Sequence, residues 1–246
     1  MPIACDLDGV VRLGADPIPG AADAVRRLRA SGQRVVFVTN NAAARISEQE
    51  EQLEEMGIPA VGDVIGAAQA GATLVEPGHR VLVVGEEGLI EAVVDRGAVI
   101  VDDGTIDVVV VGLDRSFDYE TLRHASSAVR NGARFIATNG DETFPTPGGL
   151  VPGAGSLVAA IAAASGVSPE VAGKPFEPIA RLVRAALGPS GVVVGDRDDT
   201  DGAFARTLGY SFALVLSGVT SADQVPTDPA PDLVASDLAS LVPDLV

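Results

Sequence analysis

The chain of 246 residues has one cysteine, no tryptophan and few basic side chains. A single cysteine, Cys5, excludes an intrachain disulfide, and we expect a reducing, cytoplasmic environment. Lysine and arginine together number 17 against 34 aspartate and glutamate residues, which gives a formal net charge of −17. Because affinity for a phosphate backbone depends on clustered basic side chains, no nucleic-acid partner is expected.

Long apolar stretches are also missing. Runs such as Val108–Val111 are far shorter than the roughly 20 residues that a membrane-spanning helix needs. The first residues lack the basic start and apolar centre of a secretory signal, so we expect no membrane partner and a cytoplasmic location. The hydrophobic content of 47% suffices for one large core, or for a core and a smaller second domain.

Lysine is the rarest charged residue, since 16 of the 17 basic residues are arginines and only Lys174 is a lysine. Lysine offers a compact point charge, whereas arginine offers a planar fork. The isolated lysine is therefore informative only if it lies where a point charge is needed. The acidity of the chain does not exclude a phosphorylated small molecule, because a bound Mg²⁺ can reverse the charge of one pocket.

Short β-branched segments alternate with amphipathic ones, which predicts an α/β fold with a mainly parallel sheet. Strands are predicted at 3–7, 34–38, 64–65, 81–84, 99–101, 108–111, 135–137, 192–194 and 212–216. Helices are predicted at 21–30, 47–56, 67–74, 88–95, 119–130, 156–164, 178–187, 201–208 and 237–241. Ser47 and Glu50 fit a capping box at the start of the second helix, and residues 144–155 are predicted to form a Gly/Pro-rich loop.

Three polar motifs come directly after predicted strands, where open parallel sheets place their ligand sites. Asp6 and Asp8 follow the first strand, Thr39 with Asn40 follows the second, and the acidic segment 195–201 follows the strand at 192–194. Each motif also has a simpler explanation. The first fits an Asp-Gly turn, the second an N-cap or Asx turn, and the third a solvated acidic turn.

Other site types fit the sequence poorly. Counted from Asp196, the acidic segment has Asp201 at position six and Thr207 at position twelve, where an EF-hand requires Gly and Glu. No G-x-S-x-G nucleophile elbow occurs. The spacing from Gly148 to Gly153 suits a phosphate-binding loop, but Ala154 stands in place of its lysine. No G-x-G-x-x-G motif follows the first strand.

The remaining polar set, Asp6, Asp8, Thr39, Lys174 and Asp196, suits phosphoryl transfer. A carboxylate nucleophile is repelled by a dianionic phosphate ester, and Mg²⁺ held between them removes that repulsion. Lysine and threonine can neutralise and orient the other phosphate oxygens. The second aspartate can protonate the leaving alcohol and later deprotonate the attacking water. The first would form an aspartyl-phosphate intermediate.

Four motifs in order, DLDGVV at 6–11, FVTNN at 37–41, GKP at 173–175 and GDRDDTD at 195–201, resemble those of the haloacid dehalogenase superfamily of phosphatases. Within it the chain looks like the NagD or p-nitrophenyl-phosphatase type. Further segments at 18–28, 111–122, 135–161 and 217–225 also resemble that subgroup. The resemblance therefore covers nearly the whole chain.

The resemblance implies a Rossmann-like hydrolase core at 1–77 and 170–246, with an inserted α/β cap at 78–169. It makes Asp6 the nucleophile and Asp8 the general acid and base. It also implies phosphate binding by Thr39, Asn40 and Lys174. Mg²⁺ would be held by the Asp6 side chain, the Asp8 carbonyl and Asp196, with Asp201 in support.

Three positions depart from the family pattern near the site. Asp198 stands where a Leu or similar residue is common, and its charge would alter metal affinity. Gly202 replaces an aliphatic residue and is expected to loosen the start of the following helix. Ala42 replaces a serine and removes a hydrogen-bonding group.

Function beyond the phosphatase class stays open at this stage. The alternatives are a catalytically silent protein of the same fold that binds a phosphorylated ligand, and a phosphomutase. The substrate is expected to be a small phosphomonoester, with glycerol phosphate, phosphoglycolate, pyridoxal phosphate and nucleoside monophosphates all open. Segments 138–141 and 144–155 are either leaving-group contacts or plain turns. A homodimer is possible because similar proteins pair through their caps.

Overall fold

The computed structural model describes residues 1–146 and 148–246, which alternate strands and helices as an α/β fold. The strands in chain order are β1 (Ile3–Asp6), β2 (Arg12–Leu13), β3 (Asp16–Pro17), β4 (Val35–Thr39), β5 (Val64–Gly66), β6 (Arg80–Val84), β7 (Val99–Ile100), β8 (Val108–Val111), β9 (Arg134–Ala137), β10 (Thr143–Thr146), β11 (Gly149–Pro152), β12 (Glu170–Val171), β13 (Val192–Gly195), β14 (Ser211–Val215) and β15 (Leu233–Ala235). The α-helices are α1 (Ala21–Ala30), α2 (Ile46–Glu55), α3 (Ala67–Ala72), α4 (Glu87–Asp95), α5 (Tyr119–Arg130), α6 (Ala154–Ser165), α7 (Glu177–Leu187), α8 (Ala203–Leu208) and α9 (Leu238–Leu245).

The chain divides into two compact units. The first comprises Met1–Thr39, Ser47–Ile65 and Lys174–Val246, and the second comprises Asn40–Ile46 and Gly66–Gly173. The domain boundaries expected from the sequence, at 77/78 and 169/170, stay a prediction. Helix α3 belongs to the second unit because its alanines pack into an apolar cluster with strands β6 and β8.

The sheet of the first unit has the strand order β15-β14-β13-β1-β4-β5. The pairings from β15 through β4 are parallel. Strands β1 and β13 are buried along their whole length, as expected for a parallel sheet covered on both faces. A short antiparallel pair, β2 with β3, follows β1.

The second unit has a parallel sheet of strand order β12-β9-β8-β6-β7. Its centre is β8, four buried valines, flanked by β6 and β9. Helices α5 and α6 pack together and contribute to one apolar cluster with this sheet. Each unit thus has a parallel sheet of its own.

Two local predictions were wrong. Helix α2 begins at Ile46, so Ser47 lies inside the helix, and the Glu50 carboxylate instead accepts a hydrogen bond from the Gly62 amide at 2.7 Å. The supposed loop at 144–155 contains the antiparallel hairpin β10–β11 and the start of α6. Pro147, which belongs to that segment of the sequence, lies outside the described residues.

A third difference concerns the segment predicted as a helix at 201–208. A π-helical turn at Asp198–Gly202 comes first, and the regular helix α8 starts only at Ala203. None of the helices in the described part of the chain is both long and apolar enough to cross a membrane.

Candidate active site

Polar side chains stand at the carboxyl ends of three neighbouring strands in the first unit. Strand β1 lies between β4 and β13, and both pairings are parallel. Asp6 ends β1, Thr39 ends β4, and Asp196 directly follows β13. All three residues are buried. The strand ends therefore bring these groups to one edge of the sheet, as the sequence predicted.

Lys174 joins this edge from a distant part of the chain. Its ammonium nitrogen donates to Oδ1 of Asp6 at 2.6 Å and to Oδ1 of Asp201 at 2.7 Å. The residue is 4% exposed. One lysine thus provides a shared positive charge for two buried carboxylates, which is the role a point charge fills better than a planar fork.

Asp201 is fixed by its second carboxylate oxygen. Oδ2 accepts the main-chain N–H groups of Asp196 at 3.2 Å and Arg197 at 3.3 Å. The π-helical turn carries Asp201 back over the end of β13. This places Asp201 next to Lys174 rather than in solvent.

Asp196 is fixed by the loop that follows β14. Its Oδ2 accepts the N–H of Val219 at 2.6 Å, and its carbonyl oxygen accepts the N–H of Thr220 at 3.1 Å. In the described residues, one carboxylate oxygen from each of Asp6, Asp196 and Asp201 lies within 4.8 Å of the others. Such a group of hard oxygen ligands could hold a divalent cation.

Glycines make room for this acidic cluster. A Cβ at Gly9 or Gly218 would overlap the Asp196 carboxylate, and one at Gly195 would overlap Asp201. Gly9 also has a φ of 89°, which side-chain-bearing residues rarely adopt. The Asp-Gly pair is therefore a tight turn and a site element at once.

The clustered charges shift several pKa values. Burial, together with the nearby charges of Asp201 and Asp196, raises the pKa of Asp6 well above its ordinary value, although Lys174 opposes the shift. Burial and the charge of Asp201 raise the pKa of Asp196 to about 7. Burial would lower the pKa of Lys174, but its attraction to Asp201 and Asp6 prevails and raises it. When ionised, the three carboxylates carry more negative charge than the single ammonium of Lys174 can neutralise.

Asp8 has a different environment from the cluster. Its side chain is 49% exposed, and its Oδ1 accepts a hydrogen bond from Nε of Arg12 at 3.2 Å. Arg12 itself is buried, at 3% exposure. Sequence reasoning missed Arg12, although a charged residue directly after the apolar pair Val10 and Val11 was a usable signal.

Asn40 belongs to the second unit. Its side-chain amide donates a hydrogen bond to the Asp141 carboxylate at 3.1 Å. Its main-chain carbonyl oxygen accepts one from the side-chain amide of Asn139 at 2.8 Å. Asn41 caps the start of its own turn by accepting the Ala43 N–H at 2.9 Å. Segment 138–141 is thus tied to the residues that follow β4.

The three departures from the family pattern have specific surroundings. A Cβ at Gly202 would lie 2.9 Å from the Phe212 ring and 3.0 Å from Pro229. The absence of a side chain at Gly202 therefore lets Phe212 and Pro229 pack closely against its backbone. Asp198 is half-buried and stands outside the group of three clustered carboxylates found in the described residues. Ala42 packs into an apolar cluster of the second unit.

Two family models match the chain. One, described as haloacid dehalogenase-like hydrolase, covers residues 3–98, and a second model of HAD-like hydrolases covers residues 171–241. The D-glycerol 3-phosphate phosphatase of Mycobacterium tuberculosis is 42% identical across 97% of this chain and 70% of that protein. The chain belongs to the haloacid dehalogenase-like hydrolases.

Other relatives place it within the phosphatases of that family. The acid sugar phosphatase of Staphylococcus aureus is 38% identical over 89% of this chain and 88% of its own length. The p-nitrophenyl phosphatase from Archaeoglobus fulgidus superposes with a TM-score of 0.92 at 33% identity, covering 99% and 98% of the two chains. The predicted family, its p-nitrophenyl-phosphatase-like subgroup and the Rossmann-like α/β core are confirmed.

A further solved relative bears on the metal. The glycerol phosphate phosphatase of Mycobacterium tuberculosis, in complex with magnesium, superposes with a TM-score of 0.90 at 38% identity, covering 98% of this chain and 75% of that one. The same protein has also been solved with calcium. This haloacid dehalogenase-like phosphatase has a carboxylate cluster suited to such an ion.

Proposed function

We propose that this phosphatase hydrolyses small phosphomonoesters with Mg²⁺ as its cofactor, and that its first unit is the hydrolase core and its second unit the cap. The observation that carries the proposal is the position of Lys174 between the carboxylates of Asp6 and Asp201. A buried lysine held against a strand-end aspartate provides a cation where an incoming phosphate would need one.

The residues present fit a divalent metal. Asp6, Asp196 and Asp201 bring three buried carboxylates together with one ammonium. Burial, with the charges of the neighbouring carboxylates, raises the pKa values of Asp6 and Asp196. A divalent cation would remove this excess negative charge. The Asp6 and Asp196 side chains and the Asp8 carbonyl would hold it, with Asp201 in support. Mg²⁺, when bound, supplies the charge that offsets repulsion between ester and nucleophile.

Asp6 is the proposed nucleophile. Its carboxylate forms a bond to phosphorus while the bond from phosphorus to the leaving oxygen breaks, which gives an aspartyl-phosphate. Lys174 favours the ionised carboxylate that this attack requires. Lys174 and the Thr39 hydroxyl bind phosphoryl oxygens, so that the ester is oriented as well as neutralised.

Asp8 is the proposed general acid and base. It gives its proton to the leaving alcohol in the first step. In the second step it takes a proton from the water whose oxygen bonds to phosphorus, while the bond from phosphorus to the Asp6 oxygen breaks and inorganic phosphate is released. Its half-exposed carboxylate, outside the buried cluster, suits exchange of protons with a substrate and water. A protein that only bound a phosphorylated ligand would need no such group, which argues against the catalytically silent alternative.

The substrate class follows from the relatives. We propose D-glycerol 3-phosphate and sugar phosphates as the first candidates, since relatives at 42% and 38% identity are named D-glycerol 3-phosphate phosphatase and acid sugar phosphatase. Phosphoglycolate, pyridoxal phosphate, nucleoside monophosphates and the phosphomutase alternative complete the test panel. Phosphate binding by Asn40, a homodimer and a cytoplasmic location stay predictions.

The nucleophile is tested by Asp6→Asn, with the exposed Asp16→Asn in the same unit as a matched control. Turnover of p-nitrophenyl phosphate with Mg²⁺ should fall to background in the first variant and stay near the parent value in the second. Retained activity in Asp6→Asn would reject the assigned nucleophile. Phosphate release from the panel, with a chelator as the metal control, then ranks the substrates.

A further inference from the structure

Arg12 is a buried arginine whose three guanidinium nitrogens all have partners. Nε donates to Asp8 at 3.2 Å, one terminal nitrogen donates to Oε1 of Gln52 at 2.6 Å, and the other donates to Oε1 of Gln49 at 3.0 Å. Its side chain is 4% exposed. With a partner on every nitrogen and the side chain buried, this guanidinium is held in place by the protein itself.

Helix α2 supplies the two glutamines that fix Arg12. Gln49 and Gln52 lie one turn apart on the same face of the helix, as the i, i+3 spacing dictates. Gln49 is fully buried, and its Nε2 has no hydrogen-bond partner among the described residues. A guanidinium can only donate, so the amide oxygen must face Arg12 even though the amide nitrogen stays unpartnered. The hydrogen bond from Arg12 to Gln49 therefore forms although it leaves a buried amide donor unsatisfied, which costs free energy of folding.

The main chain around Arg12 is fixed as well. Its carbonyl oxygen accepts the N–H of Gly9 at 2.7 Å, and its own N–H donates to the carbonyl of Leu7 at 3.1 Å. The turn after β1 thus folds Arg12 back beside Asp8. The Asp8 carboxylate beside it is half exposed. Its Oδ1 accepts the hydrogen bond from Nε of Arg12.

We infer that Arg12 is a positioning residue, which orients the Asp8 carboxylate for proton transfer to the leaving alcohol. The inference rests on the proposed function, in which Asp8 is the general acid. Removal of the guanidinium would leave the carboxylate free to sample other rotamers at a half-exposed site. The rate would then fall only for steps in which Asp8 transfers a proton.

A pair of substrates separates this role from a structural one. p-Nitrophenolate is a good leaving group that departs with little help from an acid, whereas the alcohol released from benzyl phosphate needs a proton. For Arg12→Gln, we expect kcat/KM to fall at least about tenfold further for benzyl phosphate than for p-nitrophenyl phosphate. This ratio is measured on one preparation, so it does not depend on the fraction of protein that is folded.

Two further variants complete the test. Gln52→Ala removes one anchor at an exposed position and should shift the same ratio in the same direction by a smaller factor. Asp8→Asn should shift it most. An unchanged ratio in both Arg12→Gln and Gln52→Ala, with a shifted ratio in Asp8→Asn, would overturn the role of Arg12 alone. An unchanged ratio in Asp8→Asn would overturn the proposed general acid and this inference with it.

Discussion

The ammonium nitrogen of Lys174 lies 2.6 Å from Oδ1 of Asp6, although 168 positions separate the two residues in the sequence. Both side chains are buried, and the same ammonium also contacts Asp201. The pair therefore links the first strand of the sheet to the segment before α7. It has a structural role as well as a proposed catalytic one, and the two roles can be measured separately.

Replacement of Lys174 by methionine should destabilise the metal-free protein. Loss of the ammonium leaves two buried carboxylates without their counter-charge, a change that costs about 3–5 kcal/mol in comparable cases. The measurement is the free energy of unfolding in urea. The control is Arg123→Met, which removes an exposed ion pair with Glu120 and should cost less than about 1 kcal/mol. Equal losses in the two variants would contradict the assigned role.

Replacement of Gly218 by alanine should weaken metal binding. The new Cβ would overlap the Asp196 carboxylate and push it from its place beside Asp6 and Asp201. We expect the Kd for Mg²⁺ to rise about tenfold or more, measured by titration calorimetry. Gly140→Ala is the matched control, because a Cβ at Gly140 meets no atom within 4 Å. The same Kd in both variants would show that the glycine makes no room for the ligand.

Metal binding should depend on pH through Asp196. Its pKa of about 7 in the folded protein lies above the ordinary value of 3.8. Between these values the folded state binds more protons than the unfolded chain, so the free energy of unfolding of the metal-free protein falls as pH rises through this window. Mg²⁺ competes with the proton, and we expect a larger increase in Tm on adding Mg²⁺ at about pH 8 than at about pH 5.5.

The control for this pH effect is Asp196→Asn, which has no proton to exchange at that position. Its increase in Tm with Mg²⁺ should be smaller than the parent's at both pH values, and the difference between the two pH values should also be smaller, since only Asp6 still exchanges a proton with the metal. A shift in the parent protein that is equal at the two pH values would rule out competition between metal and proton at this site.

Cys5 should be unreactive in the folded protein. It is 1% exposed, and burial together with the charge of Asp6 raises the pKa of its thiol above the ordinary value. Since the thiolate is the reactive form, a thiol reagent should label Cys5 only as the protein unfolds in denaturant. Stoichiometric labelling under native conditions would contradict the buried position.

Local sequence signals predicted many of the elements. The bounds of α1 and α5 agree with the prediction at both ends. For α5, the reason is local, since Asp118 directly before the helix accepts the Thr121 N–H at 2.8 Å. The closing helix is longer than predicted, but it also begins after an aspartate, Asp237, that caps it. Short-range capping is readable because both partners lie within one helical turn.

Predictions that depended on contacts with distant segments were less reliable. The capping box at Ser47 failed because Glu50 pairs with the amide of Gly62, twelve positions away. At Gly202 the sequence pattern could not show that Phe212 and Pro229, from other segments, leave little room for a Cβ. In both cases a residue from another element changed the meaning of a local pattern.

The sequence by itself determined which chemical groups stand at strand ends, because the pattern of buried strands is local and parallel strands end at a common edge. Asp6, Thr39 and Asp196 were predicted in this way to stand at strand ends, where the structure places them. Only the tertiary structure decided that Asp201 shares the ammonium of Lys174 and that Arg12 holds Asp8. Those relationships depend on how the π-helical turn and helix α2 pack, and no short-range pattern encodes a contact between segments that meet only after folding.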